Sequence, residues 1–340
     1  MRIDEFDFYL PSDRIARFPA KKREDSKLLV VNRRDSSLTQ GLFSDLPHLL
    51  KKEDFLVINN SAVIPAKLFG LINSKMIELT IVKILDKNQA EVLAKPAKYL
   101  INGRQIKFGE VFMGRVIRSL DEGRRWIEFS TDIDNVLKGG FAPLPPYIKR
   151  KRKEAEKHKE FDLERYQTVY SENGNSIAAP TAGLHFSKEL LKRINKNNPI
   201  LKIRLDVGEA TFQKIKKENI REHQMGEENI FLKKETIRKV EDLKNKKHNL
   251  IAVGTTSVRT LESYARLKIK REYFRSQLFI YPGFEFRMVD KLITNFHLPK
   301  SSLFILVCAF GGVKLMQKAY DFAKSNNFKF YSYGDVMLII

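Results

Sequence analysis

Three hydroxyl residues and an arginine follow an apolar run in Leu250-Ile-Ala-Val-Gly-Thr-Thr-Ser-Val-Arg-Thr260. A strand ending at Gly254 and a helix starting at Thr255 leave backbone N–H groups unpaired where the helix dipole favours negative charge. Thr255, Thr256 and Ser257 add hydroxyls, and Arg259, one turn on, adds a two-pronged guanidinium, so the turn suits a phosphate or a carboxylate. Plain capping by Thr255 or Thr256 is the simpler alternative. The Gly-x-x-x-x-Gly-Lys spacing of a Walker loop is missing. No Gly-x-Gly-x-x-Gly follows a strand, which argues against a Rossmann-type methyltransferase.

The six histidines supply the other reactive groups. His185 lies in Ala178-Ala-Pro-Thr-Ala-Gly-Leu-His-Phe186, a loop shaped by Pro180 and Gly183 that also carries Thr181. Ser187 is placed to cap the helix that follows. Such a loop holds a reactive imidazole or a hydrogen-bonded structural one equally well. His223 lies in Glu222-His-Gln-Met-Gly-Glu-Glu228, after Val207-Gly-Glu-Ala-Thr-Phe-Gln213, where Glu222 and Glu227 offer acid/base groups or hydrogen bonds to sugar hydroxyls. His297, in Thr294-Asn-Phe-His-Leu-Pro-Lys-Ser-Ser302, falls between a strand and an apolar helix. In Ile58-Asn-Asn-Ser-Ala-Val-Ile-Pro-Ala-Lys67, Asn59 and Asn60 suit a base edge or a ribose, with Lys67 following, although Asn-Asn is also ordinary turn chemistry. No His-Glu-x-x-His or comparable ligand spacing is present, so no metal is expected.

The elements that position these residues divide the chain by texture. Strands are expected at 28–31 and 55–58, with a short helix near 46–51. From about 65 to 141 short strands recur, at 77–85, 90–95, 111–118 and 125–129; Ile77, Leu79 and Ile81 alternate with Glu78 and Thr80, and Gly103, Gly109, Gly114 and Gly123 supply bends. This is the pattern of a small β-barrel. Pro143-Leu-Pro-Pro-Tyr147 is a stiff connector into the charged run 149–160, a solvated face or an RNA contact. Beyond it, helices at 188–196, 233–247, 255–267 and 313–324 interleave with strands at 200–206, 250–254, 277–281 and 337–340. The expected fold is mixed α/β: a main domain from both chain ends, 1–64 and 142–340, with the barrel 65–141 inserted between them.

Lys and Arg outnumber Asp and Glu by 62 to 41, a net charge of +21. So large an excess repels itself and is most economically explained by a polyanionic partner, nucleic acid first; a lysine-rich compositional bias is the alternative. The single cysteine, Cys308, sits in Leu303-Phe-Ile-Leu-Val-Cys-Ala-Phe310 and reads as core. That stretch is far short of the roughly 20 residues of a membrane span, and Met1-Arg-Ile-Asp-Glu-Phe-Asp lacks a signal-peptide core, so a cytoplasmic location without a membrane is expected.

In order along the chain, Phe6-Asp-Phe-Tyr-Leu-Pro11, Ile58-Asn-Asn-Ser-Ala-Val-Ile-Pro-Ala66, Arg165-Tyr-Gln-Thr-Val-Tyr170, Ala179-Pro-Thr-Ala-Gly-Leu-His-Phe186, Leu205-Asp-Val-Gly-Glu-Ala-Thr-Phe212, Gly254-Thr-Thr-Ser-Val-Arg259, Thr294-Asn-Phe-His-Leu-Pro299 and Tyr331-Ser-Tyr-Gly-Asp335 together resemble the S-adenosylmethionine:tRNA ribosyltransferase-isomerase family of queuosine biosynthesis. The barrel and the run 149–160 resemble it least. The resemblance implies that the ribosyl group of S-adenosylmethionine is transferred to 7-aminomethyl-7-deazaguanine at the tRNA wobble position and isomerised, giving epoxyqueuosine-tRNA, adenine and methionine. S-adenosylmethionine is then a co-substrate, with no resident cofactor or metal, and tRNA is the polyanion; a monomer is favoured. On this basis His185, Glu222, His223 and His297 are the catalytic candidates, with His185 and Glu222 or His223 for proton transfer and His297 near the ribosyl or nucleobase; Thr255, Thr256, Ser257 and Arg259 are candidates for a carboxylate or tRNA phosphate, and Asn59, Asn60, Lys67 and Thr181 for substrate contact. An RNA methyltransferase using the same donor and a non-catalytic RNA-binding module are the rival readings.

Overall fold

A computed structural model describes residues 1–148, 150–208, 215, 217–267 and 271–340. Lys149 and residues 209–213 of the Val207–Gln213 segment lie outside the described residues. The chain falls into two compact units, one of Met1–Ala62, Pro145–Ile148 and Gln167–Ile340, the other of Val63–Leu144 and Lys149–Tyr166. Residues 149–166, which the sequence assigns to the main domain, group with the barrel.

The strands are β1 (Lys27–Val31), β2 (Leu38–Leu42), β3 (Asp54–Asn59), β4 (Lys67–Ile72), β5 (Lys75–Asp86), β6 (Gln89–Lys95), β7 (Gln105–Phe108), β8 (Phe112–Ser119), β9 (Arg124–Phe129), β10 (Ile200–Asp206), β11 (Glu228–Phe231), β12 (Asn249–Val253), β13 (Tyr273–Ser276), β14 (Lys291–Asn295) and β15 (Val336–Ile339). The helices are α1 (Leu46–Leu49), α2 (Ile133–Lys138), α3 (Arg152–Lys157), α4 (Lys159–Arg165), α5 (Lys188–Asn195), α6 (Lys234–Asn245), α7 (Thr255–Leu267), α8 (Ser302–Gly311) and α9 (Val313–Ser325).

In the larger unit the described strands form one sheet in the order β13-β11-β10-β3-β12-β14-β15-β1-β2. Its centre, β10-β3-β12-β14, is parallel. β15 is antiparallel to β14 and parallel to β1, and β11, β13 and β2 are antiparallel additions at the edges. Parallel strands covered on both faces read as continuous apolar runs, which is why Phe55-Leu-Val-Ile58 and Leu250-Ile-Ala-Val253 lack alternation. Successive residues supply opposite faces. Phe55, Val57, Leu250, Ala252 and Leu292 pack with Val240 of α6, Val258 and Leu261 of α7, Phe304 of α8 and Tyr320 of α9. Leu56, Ile58, Ile251, Val253 and Ile293 pack with Leu46 of α1, Leu190 and Ile194 of α5, and Phe186. Ile251 is fully buried, and truncating it to alanine should cost about 2–5 kcal/mol.

The expected strand at 277–281 is displaced. The ladder runs instead through Tyr273–Ser276, where Phe274 and Ser276 are buried and pair with Ile230 and Glu228 of β11. Residues 277–281 carry no ladder, although Ile280 is buried in the core. Among the described residues no single helix is long and apolar enough to cross a membrane, and the apolar α8 is core.

The smaller unit is a closed barrel, β4-β5-β6-β9-β8-β7, sealed where Leu71 of β4 meets Lys107 of β7. Its strands alternate in burial, with Phe108, Phe112 and Phe129 gathered inside. Gly70 has to be glycine, because a Cβ there would stand 2.5 Å from the Ile106 side chain. The charged run forms α3 and α4; Arg150 before them is buried and donates to Asp162 at 3.2 Å, while Lys151, Arg152 and Lys153 are exposed.

Candidate active site

Open α/β sheets place their ligand sites beyond the carboxyl ends of the parallel strands. Here β12, β14 and β10 end at Val253, Asn295 and Asp206, and a cleft opens at those ends. Ala178–Ala182, Gly254–Thr256, Thr294–Leu298, Tyr147, Tyr331 and Ser332 are among the residues that line it. Gly254 makes the turn from β12 into α7 at φ 85°, a conformation that strains any side chain, and its N–H donates to the Ile293 carbonyl at 2.8 Å. Thr255 and Thr256 thereby start α7 at the cleft, which Thr181 also lines.

His297 also lines the cleft. Its Nε2 lies 2.8 Å from the Thr294 hydroxyl, and its backbone N–H donates to the Tyr320 hydroxyl at 2.9 Å. Burial lowers its pKa to about 3, so the ring is neutral at physiological pH. His185 is held differently. Its Nε2 is 3.0 Å from Asn295 Nδ2 and its Nδ1 is 2.8 Å from the Ser26 hydroxyl. The Asn295 amide also donates to the Tyr331 carbonyl at 3.1 Å, which fixes its nitrogen on that side. Nε2 of His185 therefore accepts, and Nδ1–H donates to Ser26. Burial first, then the Arg23 charge, lowers the His185 pKa to about 3. Both ring nitrogens are engaged, and the imidazole stands behind Asn295 rather than among the residues lining the cleft.

The remaining candidates are spread more widely. Ser257 donates to the Val253 carbonyl at 2.8 Å, bonding back to the end of β12. Arg259 turns away from the cleft, pairing with Glu228 of β11 at 2.5 Å and donating from Nε to the Leu278 carbonyl at 3.2 Å. Arg259, expected at an anion, is thus held in an internal ion pair and is not among the residues lining the cleft. Asn59 is spent on the sheet: it donates to the Leu205 carbonyl at 2.9 Å and accepts from the Leu205 and Ser61 N–H groups at 3.1 Å, extending the β3–β10 ladder by a side chain. Asn60 donates to Glu172 at 2.9 Å. Glu222 is exposed and accepts from Asn219 at 3.2 Å; His223 stacks edge-on to Phe279 with a pKa lowered by burial, and neither lines the cleft. Lys67 belongs to the barrel unit, where it pairs with Glu78 at 3.0 Å.

Among the cleft residues without an assignment from the sequence are Asn295, Tyr331 and Tyr147. Tyr331 sits at φ 75°, uncommon for a residue with a side chain, in a turn pinned by Asp335, whose carboxylate accepts from the N–H groups of Lys27 and Lys329 at 2.7 and 2.6 Å. Gly334 closes that turn, since a Cβ there would lie 2.5 Å from the Lys329 carbonyl oxygen. The Tyr147 and Tyr331 rings are 4.5 Å apart, and the Tyr147 hydroxyl lies 2.6 Å from that of Ser332. Burial raises both phenols, that of Tyr331 to about 12, so neither is an anion at neutral pH. The signal lay in Tyr331-Ser-Tyr-Gly-Asp335 and the Tyr147 connector, but only the fold makes them neighbours. Among the described residues no group of three His, Cys, Asp or Glu side chains is arranged to hold a metal.

Comparison with known proteins extends over the whole chain. The family model described as queuosine biosynthesis protein matches residues 3–339. Proteins named S-adenosylmethionine:tRNA ribosyltransferase-isomerase from Thermosipho africanus and from a Sulfurihydrogenibium species are 41% and 42% identical, each alignment covering all of both chains. The crystal structure of S-adenosylmethionine tRNA ribosyltransferase from Thermotoga maritima matches with a TM-score of 0.56 and 30% identity over 99% of this chain and 100% of that one. The chain belongs to the queuosine biosynthesis protein family.

Proposed function

We propose that this protein transfers the ribosyl group of S-adenosylmethionine to 7-aminomethyl-7-deazaguanine at the tRNA wobble position and isomerises it, releasing adenine and methionine. The observation that carries this is full-length similarity to enzymes named for that transfer. The chemistry asks for a cleft sheltered from water and a proton carrier. The donor's sulfonium acidifies its 5′-methylene; removal of that proton, departure of adenine, attack by the aminomethyl nitrogen and expulsion of methionine follow. His297 is the proton carrier in this reading, because of the four candidates it alone lines the cleft, as a neutral imidazole beside Thr294. Its low basicity puts the burden of the step on the acidity of the sulfonium carbon. His185 is a positioning residue that fixes the Asn295 amide. Thr181, Thr255 and Thr256 contact substrate. The net charge of +21 serves tRNA, which also places the enzyme in the cytoplasm, and the reaction needs no metal.

Purified protein, S-adenosylmethionine and tRNA carrying the aminomethyl base should yield, by mass spectrometry, a ribosyl-derived addition and free adenine, in the presence of EDTA as in its absence. His297→Ala should lower turnover on the order of 10²–10⁴-fold while donor binding persists. Transfer of a labelled methyl group instead would establish the methyltransferase alternative, and undiminished turnover by His297→Ala would remove that residue from the chemistry.

A further inference from the structure

Two polar atoms in the cleft are buried without a hydrogen-bond partner: Thr256 Oγ1 and Asn295 Oδ1. Asn295 is 2% exposed. With its nitrogen turned to the Tyr331 carbonyl and to His185, its oxygen points the other way, an acceptor waiting for a donor. The second feature is the N-terminus of α7, a helix of 13 residues. Its N–H groups of Ser257 and Val258 both bond to the Gly254 carbonyl, whereas those of Thr255 and Thr256 precede any intrahelical acceptor. Val253 and Ile293 are partners in the sheet, so the start of α7 and Asn295 leave it side by side, on strands about 5 Å apart.

One side of this spot therefore offers N–H and hydroxyl donors with a positive helix end, and the other offers a neutral acceptor. A tRNA phosphodiester matches only the first, because it has no hydrogen for Asn295 and would set oxygen against oxygen. A group with an anion and a cationic donor one carbon apart matches both. We propose that the first turn of α7, with Thr256, and the Asn295 carbonyl form a subsite for an α-aminocarboxylate. The carboxylate sits on the Thr255 and Thr256 N–H groups and the Thr256 hydroxyl, and the ammonium donates to Asn295 Oδ1. Resting on the donor assignment made above, the ligand is the methionyl end of S-adenosylmethionine. That end then lies in the cleft, and the free methionine formed in the reaction occupies the same place. Arg259, committed to Glu228, takes no part.

Editing the ligand tests this without risk to folding. Calorimetry would compare S-adenosylmethionine, its decarboxylated form and its desamino form on the intact protein. Loss of one charge-assisted partner should weaken binding roughly ten- to 150-fold for each edited compound. Thr256→Val should weaken the intact donor but add little to the loss already suffered by the decarboxylated form. Equal affinity of all three compounds would overturn the subsite. So would a Thr256→Val effect that is the same with and without the carboxylate, as expected if adenine, donating from its amino group to Asn295, occupied this spot. L-methionine alone separates the two assignments. If it binds and S-adenosylmethionine does not, the subsite stands and the donor reading falls; if neither binds, the subsite falls.

Discussion

Arg259 is the residue on which sequence and structure assign opposite jobs, and its removal measures which holds. In the fold its guanidinium meets Glu228 with the side chains 5% and 7% exposed. Removing one member of such a pair leaves the other charge stranded and typically costs about 3–5 kcal/mol. At roughly 2–4 °C per kcal/mol for a domain of 150–250 residues, Arg259→Ala should melt about 6–20 °C below the wild type at pH 7. The loss should depend on pH in a definite sense. Burial already raises the Glu228 carboxyl above its ordinary range, and Arg259 is what pulls it back. Without Arg259 the folded form holds a proton that the unfolded chain has surrendered, so folding is linked to proton uptake and the deficit shrinks as pH falls toward the ordinary carboxyl range. Pairing Arg259→Met with Glu228→Gln should recover much of the stability, since an apolar and a neutral group leave no stranded charge. Differential scanning fluorimetry at pH 7.5 and pH 5.5, with donor affinity measured on the folded variant, gives both readouts. A melting point unmoved by Arg259→Ala, together with a tenfold or greater loss of donor affinity, would refute this account and return Arg259 to the ligand.

Affinity for tRNA should fall steeply with salt, by a log–log slope of about −0.7 per neutralised phosphate in single strands and about −0.9 in duplex, and a slope near zero would make the +21 charge mere composition. Replacing the exposed Lys151, Arg152 and Lys153 by serine should weaken tRNA binding with donor affinity intact, whereas Arg150→Ser should cost stability, because Arg150 is buried against Asp162; equal behaviour of the two variants in melting and binding would refute the distinction. His185 and His297 have folded pKa values near 3 against an unfolded value near 6.5, so the unfolded chain binds their protons first. Stability should therefore fall below pH 6.5 at a rate approaching about 1.4 kcal/mol per pH unit for each ring, and denaturant titrations showing equal stability at pH 6 and pH 5 would contradict this.

What could be read from the sequence was local. The strand read at 250–254 and the helix read from 255 both rest on neighbours in the chain; the structure has them as Asn249–Val253 and Thr255–Leu267, with Gly254 as the turn between. Ser187, expected to cap the helix after the Ala178–Phe186 loop, accepts from the Leu190 N–H at 2.9 Å. The barrel showed in its two-residue alternation, although β4 and β7 passed unnoticed, one with Gly70 breaking its pattern and the other only four residues long. The misplaced strand at 277–281 shows how apolar content misleads: Gln277-Leu-Phe-Ile-Tyr281 is the more hydrophobic stretch, but the β11 edge selects Tyr273–Ser276, whose alternate residues fit a sheet with one exposed face.

Choosing among the chemical candidates needed contacts that no spacing encodes. His185 and His297 both sit in loops of small residues, and both titrate near 3 once folded. What separates them is position: His297 lines the cleft, whereas His185 does not and bonds to Asn295, 110 residues away. Arg259 and Thr256 are three residues apart at the start of one helix, hence on similar faces, and the sequence gives both to an anion. Glu228, on a strand too short to announce itself, takes the arginine into the core. The threonine hydroxyl stays in the cleft without a partner. A buried hydroxyl without a partner and a buried amide oxygen without one are each unfavourable in isolation. Facing one cleft at the end of one sheet, they are better explained as two contacts of the same ligand than as two unrelated defects.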